Sequence, residues 1–111
     1  MVEKRERVRR KKRVKVRYGV DVPKRMGFTD DLTAQGLFLI TAQPEPPGSK
    51  LKLLIFLPNG EEVLAIARVQ WGKKVPANMV HIARKGGMGL RLLSFESGES
   101  AFKNYLAELQ R

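Results

Sequence analysis

Residues 50–71 read KLKLLIFLPNGEEVLAIARVQW, two runs of alternating apolar residues joined by Pro58-Asn59-Gly60. Alternation at period two puts the apolar side chains of a strand on one face. Asn-Gly between two such runs is a strong hairpin signal, so the segment predicts an antiparallel β-hairpin. We expect Leu64 and Ile66 on one face of the second strand and five apolar residues on the other: Val63, Ala65, Ala67, Val69 and Trp71. We expect Trp71 in the core or at the rim of the fold.

Shorter strand-like runs flank this hairpin. Residues 13–18 alternate at period two, residues 37–41 form an apolar run, and residues 89–93 predict a last strand. Residues 28–36 form a polar stretch that closes in glycine, and residues 79–83 are a candidate short strand within a basic loop. Several antiparallel strands with tight turns favour a small closed barrel over an open sheet, because closure removes unpaired strand edges.

The C-terminal segment has a different period. Apolar residues recur there at helical spacing: Ala101, Phe102, Tyr105, Leu106 and Leu109. Ser97 and Ser100 precede them as candidate N-caps, so we predict one amphipathic α-helix over about residues 97–110. The predicted fold class is all-β, with a single barrel domain over residues 14–111 that ends in this helix.

The positive charge is concentrated at the N-terminus. The chain has 111 residues, with 22 Lys and Arg against 11 Asp and Glu, a formal net charge of +11. Residues 1–17 carry ten Lys or Arg and two Glu, a net charge of +8. Such a segment repels itself and cannot bury its side chains, so we predict a flexible basic leader over residues 1–13. Its natural partners are anions: phosphates, nucleic acid or an acidic membrane surface.

Several classes of function are excluded or disfavoured by composition. The chain has no cysteine, which excludes disulfides, thiolate metal sites and a cysteine nucleophile. His81 is the single histidine, which argues against a histidine-centred active site. No apolar run approaches the ~18–20 residues that cross a bilayer, and no secretion signal core follows the basic N-terminus. We therefore expect a cytoplasmic protein with no catalytic residues, no metal ligands and no cofactor.

Arginines of the leader are the first candidate binding residues. Arg9 and Arg13 are four residues apart, and Arg10 lies between them. A guanidinium grips phosphate through two parallel hydrogen bonds and stacks on a base. In an extended segment Arg9 and Arg13 could converge on one ligand. Taken alone, the run is more typical of a solvated charge run or a nonspecific polyanion-binding tail.

The second candidate is the segment Asp31-Leu32-Thr33-Ala34-Gln35-Gly36. The Asp31 carboxylate could accept from the N–H edge of a guanine, with the Thr33 hydroxyl nearby. Gly36 would permit a close backbone approach or a positive φ. The plain alternative is an Asx or hydroxyl turn that caps the end of a strand.

Together the two segments resemble the PilZ domain family. Arg9-Arg10-Lys11-Lys12-Arg13 matches its RxxxR element, and residues 31–36 match its (D/N)xSxxG element a short distance downstream. The resemblance runs from about Arg9 to the terminal helix through five further segments: residues 37–39, the Pro-rich turn with Gly48, Leu57-Pro58, residues 69–71 and residues 87–91. Arg5/Arg9 and Arg13/Arg17 share the RxxxR spacing, and we choose Arg9/Arg13 because Arg13 abuts the first strand, as in the family.

The resemblance implies a six-stranded antiparallel β-barrel with a C-terminal helix, acting as a noncatalytic receptor for the bacterial second messenger cyclic di-GMP. Arg9 and Arg13 would then grip phosphate and guanine, with Arg10 as an auxiliary contact. The guanine pocket would be lined by Asp31, Thr33 and Gly36. The leader would fold over the ligand and alter the binding of an unidentified downstream protein.

Two departures from the family pattern bear on the ligand. Thr33 stands where the family usually has serine, so the hydroxyl is kept but a methyl is added. Val8 stands where relatives that bind a stacked ligand dimer carry arginine, which favours one bound dinucleotide and leaves a monomer or a ligand-dependent dimer open. Two alternatives to the receptor are a nonspecific nucleic-acid-binding β-barrel and an adaptor that binds only proteins.

Overall fold

The computed structural model describes residues 13–73 and 86–109. Six strands precede one helix: β1 (Lys15–Gly19), β2 (Arg25–Leu32), β3 (Gly36–Ile40), β4 (Lys50–Phe56), β5 (Glu62–Lys73), β6 (Gly87–Ser97) and α1 (Glu99–Leu109). The strands close into an antiparallel barrel in the order β1-β2-β3-β6-β5-β4. The expected barrel with a C-terminal helix is confirmed. The leader up to residue 12, the candidate strand at residues 79–83 and His81 lie outside the described residues.

The core of the barrel is filled by alternate residues of its strands. On β5, residues 63, 65, 67 and 69 are each at most 1% exposed, as the alternation predicts. The buried apolar residues from the other strands include Val14, Val16, Tyr18, Leu39, Leu51, Leu53, Ile55 and Met88. From α1, Phe102, Tyr105 and Leu106 join the same core. Within the described residues, Thr29 is the one buried polar side chain.

The predicted hairpin between β4 and β5 is confirmed. The N–H of Leu57 donates to the carbonyl of Glu61, and the N–H of Gly60 donates back to the carbonyl of Leu57, both at 2.9 Å. Gly60 has a φ of +95°, whereas Asn59 has a negative φ. The loop is therefore a three-residue turn closed by a left-handed glycine, and not the two-residue turn with positive φ at both positions.

Two elements differ from the sequence expectations. No strand is predicted for the polar stretch at residues 28–36, but residues 28–32 belong to β2, which pairs with both β1 and β3. Burial of Gly27 and Thr29 between these neighbours outweighs the weak strand propensity of the segment. The helix begins at Glu99, and the carbonyl of Gly98 accepts its first hydrogen bond from Phe102. Gly98, with a φ of +82°, therefore takes the N-cap place expected for Ser97 or Ser100.

Alternating strand directions give the barrel two ends. We call the leader end the one with Arg13, the β2–β3 turn at residues 33–35, the β4–β5 turn and α1. The loop end carries the β1–β2 loop at residues 20–24 and the β3–β4 loop at residues 41–49. None of the described helical residues forms a segment long and apolar enough to span a membrane.

Candidate ligand-binding site

A buried threonine fixes the start of β1 against β2. The N–H of Val14 donates to Thr29 Oγ1 at 3.1 Å, and the N–H of Thr29 donates to the carbonyl of Val14 at 2.9 Å. Arg13, which is exposed, therefore leaves the barrel beside the strand that carries Asp31. Arg9 and Arg10 lie outside the described residues.

A β-bulge sets the face to which position 31 belongs. Thr29 pairs with Leu39, but Asp31 pairs with Phe38, so Asp30 is an extra residue in β2. Strict alternation from Thr29 would put position 31 on the inner face of the strand. The bulge instead brings it opposite Phe38, which lies between the buried Leu37 and Leu39 and belongs to the outer face.

The turn from Thr33 to Gly36 is organised by the threonine hydroxyl. Thr33 Oγ1 donates to the carbonyl of Gly36 at 3.1 Å and accepts from the N–H groups of Gln35 and Gly36 at 3.3 and 3.2 Å. The N–H of Thr33 also donates to the Gly36 carbonyl at 2.9 Å. This is the hydroxyl turn that the sequence offers as an alternative, and Thr33 remains exposed at the leader end. Because the Thr33 hydroxyl already forms hydrogen bonds within the turn, it can serve a ligand as well only if the ligand contacts the turn without rearranging it.

Gly36 occupies a place where a side chain cannot fit. A Cβ at this position would lie 2.2 Å from the carbonyl oxygen of Leu90 on β6. The N–H of Leu92 donates to the carbonyl of Gln35 at 2.8 Å, which extends the β3–β6 contact into the turn. The absence of a side chain at Gly36 therefore lets the turn pack tightly against β6. The close backbone approach expected at Gly36 is thus an approach to the backbone of β6.

An exposed aromatic pair lies on the same outer face. Trp71 and Phe38 are stacked with ring centroids 5.3 Å apart and planes at 26°. Trp71 is 51% exposed. A Cβ on Gly89 would lie 2.4 Å from Trp71 Nε1, so the indole covers this glycine. Gly89 pairs with both Phe38 and Trp71, and Phe38 pairs with position 31. These four positions form a continuous row across β2, β3, β6 and β5, which we call the outer row.

The expectation that Trp71 shares the inner face of Val69 is wrong. The β5–β6 register shifts between Val69 and Trp71, and this bulge turns the indole outward. The two glycines at positions 87 and 89 were the available sequence signal, because alternate glycines in a strand leave an outer surface that a large neighbour can cover. In the described part of the chain, no three acidic or imidazole side chains converge as metal ligands.

The loop end differs in its polar contacts. A cleft there is lined by the β1–β2 loop and by Glu45. Arg25 crosses toward it and forms an ion pair with Glu45 at 3.2 Å. Val20 and Val22 at the tip of the loop are 53% and 59% exposed. Of the residues predicted from the sequence to bind a ligand, those that the structure describes lie at the leader end: Arg13, Asp31, Thr33 and Gly36.

These observations define a small barrel with a candidate site on its outer face. The site combines the exposed Arg13 before β1, the polar turn from Thr33 to Gly36 and the aromatic pair of Phe38 and the exposed Trp71. A PilZ domain family model matches residues 3–108, and the chain belongs to that family. PilZ domains are in general receptors for cyclic di-GMP, and they are generally noncatalytic. Comparison with curated proteins finds no match.

Proposed function

We propose that this protein is a noncatalytic cyclic di-GMP receptor whose ligand lies on the outer face at the leader end. The observation that carries the proposal is the bulge at Asp30. It puts position 31 in the outer row with Phe38 and Trp71, within one strand of the point where Arg13 leaves the barrel. A dianionic ligand with two guanines is suited to arginine forks, a carboxylate for the guanine edge and a flat apolar surface. The proposal assigns these parts to Arg9 and Arg13, to Asp31, and to Phe38 with Trp71.

Each residue has a distinct role in the proposal. Arg9 and Arg13 grip the phosphates and a guanine, and Arg10 adds a further contact. Asp31 accepts the two N–H donors on the guanine edge, which adenine does not present in the same arrangement. Thr33 and Gly36 hold the turn in the form that meets the base. Trp71 provides a stacking surface.

Binding would act as a switch. In the proposal, residues 1–13 fold over the ligand while the barrel at residues 14–111 serves as a rigid platform. The phosphates of the ligand then neutralise part of the positive charge of the leader, and the folded leader changes the surface that a downstream protein contacts at this end. We place this signalling in the bacterial cytoplasm, with the protein as a monomer or a ligand-dependent dimer.

Isothermal titration with cyclic di-GMP tests the proposal. The double variant R9A/R13A removes two of the charge-assisted contacts, and we expect affinity to fall by about 100-fold or more. The charge-matched control K24A/K103A removes two exposed cations at other places and should bind like the unmodified protein. Absence of binding at micromolar ligand, or equal losses in the two variants, would refute the receptor function.

A further inference from the structure

Three cations stand side by side on the outer face. Lys50 on β4 pairs with Arg68 on β5, and Arg68 pairs with Arg91 on β6. All three are exposed. We call these residues the basic row. Because neighbouring strands are about 4.8 Å apart, the row spans about 10 Å of the barrel surface.

The basic row works against the stability of the fold. Like charges placed directly opposite each other on neighbouring strands are destabilising. No ion pair joins any of the three to another residue whose side chain the structure describes. Two other exposed cations of the described residues are paired with carboxylates, since Arg25 contacts Glu45 and Lys103 contacts Glu99 at 3.1 Å. An unneutralised row that the fold does not need is suited to an anionic ligand.

The neighbours of the basic row point to the kind of anion. Arg91 pairs with Gly36 on β3, so the row ends at the Thr33–Gly36 turn. Gly89, two residues before Arg91, is covered by the exposed indole of Trp71. Cations that follow a phosphate backbone, beside an aromatic ring that accepts unpaired bases, are the recurring elements of single-stranded nucleic-acid sites.

We propose that this outer face binds single-stranded nucleic acid, with the basic row on the phosphates and Trp71 on a base. This activity is separate from the proposed cyclic di-GMP function and does not depend on it. The two sites share Trp71 and the edge at Gly36, so an oligonucleotide and cyclic di-GMP should compete. Double-stranded nucleic acid should bind more weakly, because its bases are already stacked.

The test measures binding of an oligothymidylate of about 12 nucleotides, within the range of site sizes for small barrels. Trp71 is the only tryptophan of the chain, so quenching of its fluorescence reports contact at this face. Titrations at several salt concentrations give the slope of log affinity against log salt. For the variant R68A/R91A we expect the slope to fall by about 1.4, since each lost single-strand phosphate contact removes about 0.7. The control K24A/K103A should keep the slope of the unmodified protein.

Three results with the oligonucleotide alone would overturn the proposal. They are no binding of the oligonucleotide, an unchanged salt slope in R68A/R91A, or a loss of oligonucleotide binding in R9A/R13A that the row variant does not share. The same variants are titrated with cyclic di-GMP in parallel. Loss of dinucleotide binding with normal oligonucleotide binding in R68A/R91A would assign the basic row to the dinucleotide and also refute the proposal. Failure of the receptor function appears instead as no dinucleotide binding by the unmodified protein.

Discussion

The same tripeptide, Thr-Ala-Gln, precedes and follows β3, and its two copies do different things. Residues 33–35 lie at the leader end and residues 41–43 at the loop end. In both, the threonine hydroxyl accepts from the N–H of the glutamine two residues on, at 3.3 Å for Thr33 and 3.1 Å for Thr41. The local sequence therefore sets the local turn in both places.

The two hydroxyls differ in their surroundings. Thr41 Oγ1 bonds the hydroxyl of Tyr18 at 2.6 Å, and Tyr18 is 1% exposed. Thr33 Oγ1 bonds only groups of its own turn among the described residues, and it stays exposed between Asp31 and Gly36. Thr41 is thus part of the frame of the barrel, whereas Thr33 organises a surface. Substitutions at the two threonines and at the glycines near them test whether these two roles are separate.

The largest effect on stability is expected at Gly36, which follows the turn at residues 33–35; Gly48, in the loop that follows β3, serves as its control. A Cβ at Gly36 would meet the Leu90 carbonyl at 2.2 Å, so β3 and β6 must move apart. We expect Gly36→Ala to lower the free energy of unfolding by about 3 kcal/mol, at the upper end of overpacking costs. Gly48 has a φ of +92° with no atom near its Cβ, so Gly48→Ala should cost only about 1 kcal/mol from backbone strain. Urea unfolding measures both, and equal losses would contradict the tight β3–β6 contact.

The next effect separates the two threonines by stability. Thr41→Val leaves the buried Tyr18 hydroxyl with only the carbonyl of Gln43 at 3.2 Å. We expect a loss of about 1–2 kcal/mol in the free energy of unfolding, the usual range for a weakened buried hydrogen bond. Thr33→Val should lose less, because its turn is exposed to water. A larger loss for Thr33→Val than for Thr41→Val in urea unfolding would contradict the assignment of Thr41 to the frame of the barrel and of Thr33 to its surface.

The same pair should separate in the opposite direction by ligand affinity. If the Thr33 turn meets the guanine as a preformed unit, Thr33→Val should weaken cyclic di-GMP binding by about 10-fold, which corresponds to about 1.4 kcal/mol. Thr33→Ser keeps the hydroxyl and serves as the matched control, with affinity close to that of the unmodified protein. Thr41→Val should leave the affinity unchanged. Titration calorimetry at one salt concentration compares all three, and equal binding by Thr33→Val and Thr33→Ser would remove the turn from the site.

The smallest effect concerns the helix that packs on the barrel. The hydroxyl of Tyr105 is buried and has no hydrogen-bond partner among the residues that the structure describes. Burial, together with the nearby Glu108, raises the pKa of Tyr105. Tyr105→Phe removes the unsatisfied group, so we expect stability at neutral pH to stay equal or rise by up to about 1 kcal/mol.

The raised pKa also fixes the sign of a pH effect. The unfolded chain releases the Tyr105 proton from about pH 10 upward, whereas the folded chain retains it to higher pH. Stability of the unmodified protein should therefore fall above about pH 10, and Tyr105→Phe should lose less over the same range. Urea unfolding at neutral and alkaline pH measures the difference, and parallel losses in both proteins would contradict this source of alkaline destabilisation.

Alternation and turn chemistry were enough to predict the β4–β5 hairpin, because the inner residues of β5 are apolar without interruption up to Val69. They could not predict β2, whose polar residues owe their strand geometry to pairing with β1 on one side and β3 on the other. The two bulges that shape the candidate site were also beyond pattern reasoning. Each adds one residue, at Asp30 and before Trp71, and each moves the next side chains of its strand to the opposite face. The outer face of the candidate site depends on both.

The location of the cyclic di-GMP site at the leader end is tested most directly by an amide NMR titration of the full chain with this ligand. The second copy of the tripeptide, at the loop end, is the control. The N–H groups of Gln35 and Gly36 point to Thr33 Oγ1, and the N–H of Gln43 points to Thr41 Oγ1. We predict large shift changes for Gln35 and Gly36 and little change for Gln43. Changes at Gln43 with none at Gln35 and Gly36 would contradict a ligand site at the leader end.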